Sequence, residues 1–247
     1  MRVVFLGTAG SAPARGHNAP SVLVEDCLLD CGEGATRALA ELGALRKVKK
    51  VLVTHVHADH FSGLPSLLWT LALIGVEGEL LIAGPEGIER TVFEALELVR
   101  TPLHKLESHL RFEELEPGEE LGPVKTASAL HSIPSLAYRI DLDSSICYTG
   151  DTAPSEEVAE LARGCELLVH DSTFPPGEEE RAARLGHSTP RGAGEVAERA
   201  GVRALALFHL PYYYFEGEEF VEEYLRAASS VFSGEVFVPE ELRVYEI

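Results

Sequence analysis

The densest chemistry in the chain is Thr54-His55-Val56-His57-Ala58-Asp59-His60. Three imidazoles and a carboxylate within six residues cannot all be taken out of water without partners. A divalent cation answers for all of them at once. In an extended loop His55 and His57 share a face and can hold one ion. Asp59 and His60, one step on, can hold a second. This mix of nitrogen and oxygen donors suits zinc, and manganese or iron accept it as well. A single histidine here would read as a solvated loop residue; the whole set behind an apolar strand does not.

The flanking sequence supplies the scaffold. Lys50 to Val53 predicts a strand feeding the loop, and Leu64 to Ile74 predicts a helix apolar on nearly every side, hence buried. The pattern predicts earlier strands at Val3 to Leu6, Ser21 to Val24 and Cys27 to Leu29, and a helix at Ala35 to Leu42. Pro85 predicts a helix start, with the helix over Glu86 to Val99. Further strands are expected at Leu80 to Ala83, Leu110 to Leu115, Val124 to Ser128, Leu136 to Ile140 and Ser145 to Tyr148. The second half repeats the rhythm, with helices near Ser155 to Ala162, Thr189 to Ala200 and Glu218 to Ala228. Between and after them lie strands at Leu167 to Val169, Ala204 to Phe208, Val236 to Val238 and Leu242 to Tyr245. Strands in two groups with helices after each give a layered α/β class and no more.

The 247 residues, 45% apolar, can bury a sizeable core as one domain over 1–247. A net charge of −19, from 40 acidic and 21 basic residues, repels polyanions at long range and disfavours non-specific nucleic-acid binding. The four cysteines form no CxxC and read as small buried residues near strands. Met1 to Gly7 is too short an apolar run for a leader, and no membrane-length run follows. These features predict a reducing, cytoplasmic setting without membrane contact.

Two ions need more donors than one loop offers. His131, Asp151 and His209 each follow a predicted strand, where loops gather into sites. Taken singly, they read as a loop histidine, a turn or helix cap, and a hydrogen-bonded edge histidine. In this order behind the first motif they read as ligands.

The set Asp30-Cys31-Gly32-Glu33-Gly34, His55-x-His57-x-Asp59-His60, His131, Gly150-Asp151-Thr152, Gly186-His187-Ser188-Thr189 and His209 resembles the ordered motifs of the metallo-β-lactamase superfamily, in its ribonuclease Z and phosphodiesterase branch. The resemblance implies a four-layer αββα sandwich. It implies that His55, His57 and His131 hold one ion, that Asp59, His60 and His209 hold the other, and that Asp151 bridges them. It places His187 over the scissile bond as a proton donor and Asp30 behind a metal-bound imidazole. The implied reaction is phosphodiester hydrolysis by a hydroxide bridging two ions, most simply zinc. Asp59 binds metal and handles the nucleophile's proton, while Asp171 assists His187. The alternatives on the same fold are a thioester, lactone or sulfate-ester hydrolase, or a non-catalytic metal-binding scaffold.

Three departures matter. Ribonuclease Z enzymes usually carry a Gly/Pro-rich arm that grips tRNA, inserted between the positions of His131 and Asp151; here only 132–150 separate them. The family's His-Glu is His170-Asp171, one methylene shorter. After the last histidine stands Leu210-Pro211-Tyr212-Tyr213-Tyr214-Phe215, whose rings either stack substrate or fill the core. His17, His104 and His109 carry no informative spacing. The expected substrate is therefore a small phosphodiester or short RNA, with tRNA disfavoured unless a partner in a homodimer supplies the grip. A comparison of kcat/KM for a precursor tRNA and a small diester at fixed salt checks this. The small diester should be favoured; efficient cleavage at the tRNA 3′ discriminator with feeble small-diester activity would overturn the expectation.

Overall fold

The computed structural model describes every residue except Glu77 and Glu216, and the side chain of Glu218. Among the described residues fourteen strands occur in chain order. They are β1 Arg2–Gly7, β2 Ser21–Val24, β3 Cys27–Leu29, β4 Lys50–Leu52, β5 Leu80–Gly84, β6 Leu110–Glu114, β7 Glu120–Leu121, β8 Val124–Ser128, β9 Leu136–Asp141, β10 Ser145–Tyr148, β11 Leu167–Asp171, β12 Ala204–Phe208, β13 Glu235–Phe237 and β14 Val244–Glu246. The helices are α1 Ala35–Glu41, α2 Ala58–Phe61, α3 Gly63–Ile74, α4 Ile88–Leu98, α5 Glu156–Leu161, α6 Glu179–Arg184, α7 Pro190–Ala200 and α8 Glu218–Ser229.

The strands form two mixed seven-stranded sheets, ordered β14-β1-β2-β3-β4-β5-β6 and β13-β12-β11-β10-β9-β8-β7. Alternation along the strands explains the layers, because successive side chains face opposite ways. In β1, Val3 and Phe5 pack between the sheets while Val4 and Leu6 pack under helices α1, α3 and α4. In β12, Ala204, Ala206 and Phe208 face the other sheet while Leu205 and Leu207 meet α7 and α8. The three apolar clusters are thus the three interfaces of a four-layer αββα sandwich, as the sequence motifs imply.

Several expectations need correction. Helix α3 buries Leu64, Leu67, Leu68, Leu71 and Ala72, but Trp69 and Leu73 are 39% and 59% exposed. It covers one sheet face and is not enclosed. Pro85 does not start α4; Gly87, at φ 85°, caps it and the helix begins at Ile88. The last strand lies at Val244–Glu246, later than expected, because Leu242 is given over to a turn at φ 62°. The two-residue strand β7 carries no sequence signal. Between His131 and Asp151 stand only a short loop, β9, a tight turn at 142–144 and β10. A hairpin occupies the interval, and no arm emerges from it.

No helix among the described residues is long and apolar enough to cross a membrane. All four cysteines are buried and unpaired. Burial pushes the Cys27 thiol up to about 12 and raises Cys31, Cys147 and Cys165 too. Buried thiols react slowly. The native protein is therefore expected to give no rapid reaction with Ellman's reagent at neutral pH, and four thiols after unfolding. Fast labelling of any one in native buffer would show that its layer opens locally.

Candidate active site

Every predicted ligand stands just past a strand end. Asp30 follows β3, His55 to His60 follow β4, His131 follows β8, Asp151 follows β10 and His209 follows β12, while Asp171 closes β11. The chain brings all of them together. His57 Nδ1 lies 3.1 Å from His55 Nε2 and 3.0 Å from His131 Nε2. Asp151 Oδ2 sits 3.7 Å and 3.8 Å from those two Nε2 atoms. The second group joins His60 Nε2 and His209 Nε2, 3.1 Å apart, to Asp59 Oδ2, 3.5 Å and 3.1 Å from them. Asp151 Oδ1 completes it at 3.0 Å from His60 Nε2 and 3.1 Å from His209 Nε2. Donors held tetrahedrally about 2.0–2.2 Å from an ion stand roughly 3.3–3.6 Å apart, so both clusters have the span of a metal shell.

The imidazoles are turned so that lone pairs face inward. His60 Nδ1 donates to Asp30 Oδ2 at 2.7 Å. His55 Nδ1 meets Thr54 Oγ1 at 2.9 Å, and that hydroxyl reaches Asp30. His131 Nδ1 donates to the Gly186 carbonyl at 2.9 Å. His209 Nδ1 meets Thr173 Oγ1 at 2.7 Å, and that hydroxyl donates to Asp171 Oδ1. Each of these four rings thus spends its Nδ1–H and keeps Nε2 as a donor of electrons, whereas His57 turns its Nδ1 to the cluster. Asp151 Oδ1 is buried with no proton aimed at it, although two imidazole nitrogens lie near. Their protons are engaged on the far side. A carboxylate oxygen buried among lone pairs calls for a cation, and the residues fit two divalent ions. Burial holds His55 neutral, down to about 2. Burial works against a charged His60, but the Asp151 and Asp30 carboxylates favour positive charge at this ring strongly enough to raise its pKa. A second proton meets that demand, and a bound ion would take its place.

Asp30 anchors the base of the site. It is fully buried at φ 55°, and it accepts from Thr54 N, Thr54 Oγ1, His60 Nδ1 and Tyr148 Oη. The last of these comes from the opposite sheet. His209 is also left-handed, at φ 61°. Such backbone costs of order 1–3 kcal/mol per residue and persists where surroundings fix it.

His187 lies beside the second cluster. Its Nδ1 donates to Asp171 Oδ2 at 2.8 Å, so the shorter aspartate in the His-Asp pair still reaches it. Asp171 is held in turn by Thr152 N and Thr173 N. Burial disfavours the charged ring, yet the Asp171 carboxylate outweighs this and raises His187 to about 9. His170 is buried and bonds the Asp171 carbonyl, taking no part in the cluster. Glu178 to Glu180 stand at the solvated start of α6.

Sequence reasoning missed Thr54, Thr173, Tyr148 and the Gly186 carbonyl. Thr54 and Thr173 sit beside named residues at strand ends, which is the one signal that could have flagged them. It also missed a clasp on the N-terminal loop. Glu241 accepts from Thr8 N, Thr8 Oγ1 and Asn18 N at 3.0, 2.9 and 3.1 Å, pinning both ends of that loop. At the tip, Ser11 N–H donates to Asp59 Oδ2 at 2.9 Å. Gly10 packs so tightly that a Cβ there would lie 2.3 Å from His209 Nδ1.

Comparison with known proteins identifies the family. Residues 23–210 match the family described as the beta-lactamase superfamily domain. A ribonuclease Z from Methanothermobacter thermautotrophicus is 33% identical over 94% of this chain and 92% of its own length. The chain belongs to the β-lactamase superfamily, among its ribonuclease Z-like members. It is a hydrolase of that superfamily, and its His/Asp clusters suit divalent metals. A ribonuclease Z from Bacillus velezensis is 29% identical over 94% of each chain. The short form of human tRNase Z is 26% identical with a TM-score of 0.79, covering 100% of this chain and 99% of its own. The metallo-beta-lactamase fold protein YhfI from Bacillus subtilis superposes with a TM-score of 0.83 at 23% identity, over 99% of this chain and 98% of its own, and shares the fold. The alignment with the Methanothermobacter protein runs over 290 positions against 247 residues here, so that superfamily relative carries segments this chain lacks.

Purified without chelator, the protein is expected to carry about two divalent ions per chain by elemental analysis. Less than one after reconstitution with zinc or manganese would overturn the two-site geometry. Asp30→Asn places an amide where four donors converge, and should weaken metal binding about 10–100-fold in chelator competition. Unchanged affinity would show that the rings keep their tautomers without Asp30.

Proposed function

We propose that this superfamily hydrolase cleaves small phosphodiesters or short RNA, with His55, His57 and His131 holding one divalent ion and Asp59, His60 and His209 the other, Asp151 serving both. Zinc suits this donor set best, with manganese or iron as alternatives. The observation that carries the reading is the Asp171–His187 pair beside the second cluster. Two bound ions would lower the pKa of a water and neutralise phosphate charge. The chain's own groups supply the rest. Asp59 Oδ2 is occupied by Ser11 N–H, which leaves Oδ1 to orient and accept the nucleophile's proton. Asp171 takes the His187 Nδ1–H and so presents Nε2, the edge that can protonate a departing oxygen.

That acid supports a phosphodiester over a thioester or lactone, because an alkoxide leaving phosphorus gains most from a proton. The complete donor set argues against a non-catalytic scaffold. Small substrates are supported by the hairpin that fills 132–150, and by a net charge of −19 that opposes a large polyanion. The ribonuclease Z relatives point to RNA chemistry, and a short single strand satisfies both constraints.

His187→Ala is expected to lower kcat about 100-fold or more on a diester with an alkyl leaving group, in the range typical of general acids. On bis-p-nitrophenyl phosphate, whose leaving group needs little protonation, the loss should be much smaller, with metal content unchanged. Equal losses on both would assign His187 to substrate binding.

A further inference from the structure

Of the aromatic run after His209, Tyr212 packs against the apolar cluster under α7 and α8, and the other three rings stand outside the core. Tyr213, Tyr214 and Phe215 are 39%, 75% and 38% exposed. Tyr212 lies flat on His17, with ring centres 3.6 Å apart and planes 4° off parallel. Phe220 of α8 backs the group, edge-on to Tyr212 and near-parallel to Phe215. Between the N-terminal loop, this turn and α8 lies a cavity of about 630 Å³, lined among others by Arg15, His17, Tyr212, Phe215, Val221 and Glu222. That volume lies within the range of small-ligand sites, roughly 300–1,000 Å³.

Three observations say what fits. First, the two segments that wall the cavity also touch the metal clusters. Ser11 N–H reaches Asp59, four residues before Arg15, and Tyr212 follows His209 by three. At about 3.3–3.6 Å per residue, the Tyr212 backbone lies within roughly 11 Å of the His209 backbone. Second, the walls are flat and aromatic, which suits a planar ring. Third, the rim is not apolar throughout. Arg15 has no ion-pair partner among the described residues, and Glu222 lines the same cavity. A ligand that satisfies both must offer acceptors and donors at the edge of a flat ring. A nucleobase does so; a hydrocarbon chain or a bare sugar does not.

We infer that this cavity is a nucleoside subsite: it seats the base of one nucleotide against Phe215 and the His17–Tyr212 pair, with Arg15 and Glu222 meeting the base edge. The inference rests on the phosphodiesterase reading above, and names the nucleoside side of its substrate. Glu241 is the residue that keeps this wall in place, since it clasps the loop carrying Arg15 and His17.

The test uses adenosine and ribose as probes, neither of which can be hydrolysed here, on the full chain with its metals. Binding is read by saturation-transfer NMR and calorimetry. Adenosine should bind with its base protons closest to protein, and ribose at least about tenfold more weakly. Phe215→Ala removes one exposed stacking face and should weaken adenosine about tenfold, the size typical of base–aromatic stacking. Arg15→Ala and Glu222→Gln should each weaken it severalfold without changing metal content. If adenosine binds no better than ribose, or if p-nitrophenol competes equally and all three variants bind adenosine like the parent, the subsite is overturned. Adenosine binding that follows the variants in a protein that hydrolyses no diester would instead sink the proposed function and leave the subsite standing.

Discussion

Five imidazoles crowd into a space where any wrong tautomer would put a proton where a lone pair is needed. Settling those protons is the constraint on which the rest of the site depends. The solution is made one bond further out. Asp30 takes the proton of His60 directly and that of His55 through Thr54, while Asp171 takes that of His209 through Thr173. The Gly186 carbonyl takes that of His131. Two buried carboxylates therefore orient three of the five rings, and Asp171 orients His187 besides. Because each also accepts several backbone or hydroxyl donors, neither is an uncompensated buried charge.

The same two carboxylates explain why the sandwich is built as it is. Asp30 belongs to the first sheet and is held by Tyr148 from the second; Asp171 belongs to the second and, through Thr173 and His209, faces Asp59 and His60 from the first. The site lies at the seam, and the apolar cluster of Phe5, Leu52, Tyr138, Tyr148 and Phe208 directly beneath keeps the two sheets in register. A shift of the sheets by a fraction of an ångström would be felt at every ligand, since packed interiors transmit strain.

Much of this was legible in the residues. The His55–His60 cluster, the histidines and aspartates at strand ends and the alternation of β1 and β12 all carry their meaning locally. The four-layer architecture and the pairing of Asp171 with His187 came through resemblance to a superfamily. What stayed hidden depends on partners distant in sequence. Nothing in Glu241 distinguishes it from other glutamates until the loop at Thr8 and Asn18 is folded onto it. The exposure of Trp69 and Leu73 could not be read from an apolar helix, because composition does not say how many faces a neighbour covers. The start of α4 shifted because Gly87 at a left-handed φ caps it, overriding the prolines' usual preference.

The Glu241 clasp has a consequence in time. Its bonds to Thr8 span 233 positions, and the contact between His60 and His209 spans 149. Contacts of such sequence separation close late, because the intervening chain must first be ordered. The His55–His60 loop comes early in the chain, and its imidazoles are expected to stay unoriented until the second sheet docks. The N-terminal loop then waits longer still, for the last tenth of the chain. The His/Asp clusters are thus expected to assemble late in folding, so that half-folded chains would carry these side chains without bringing them together.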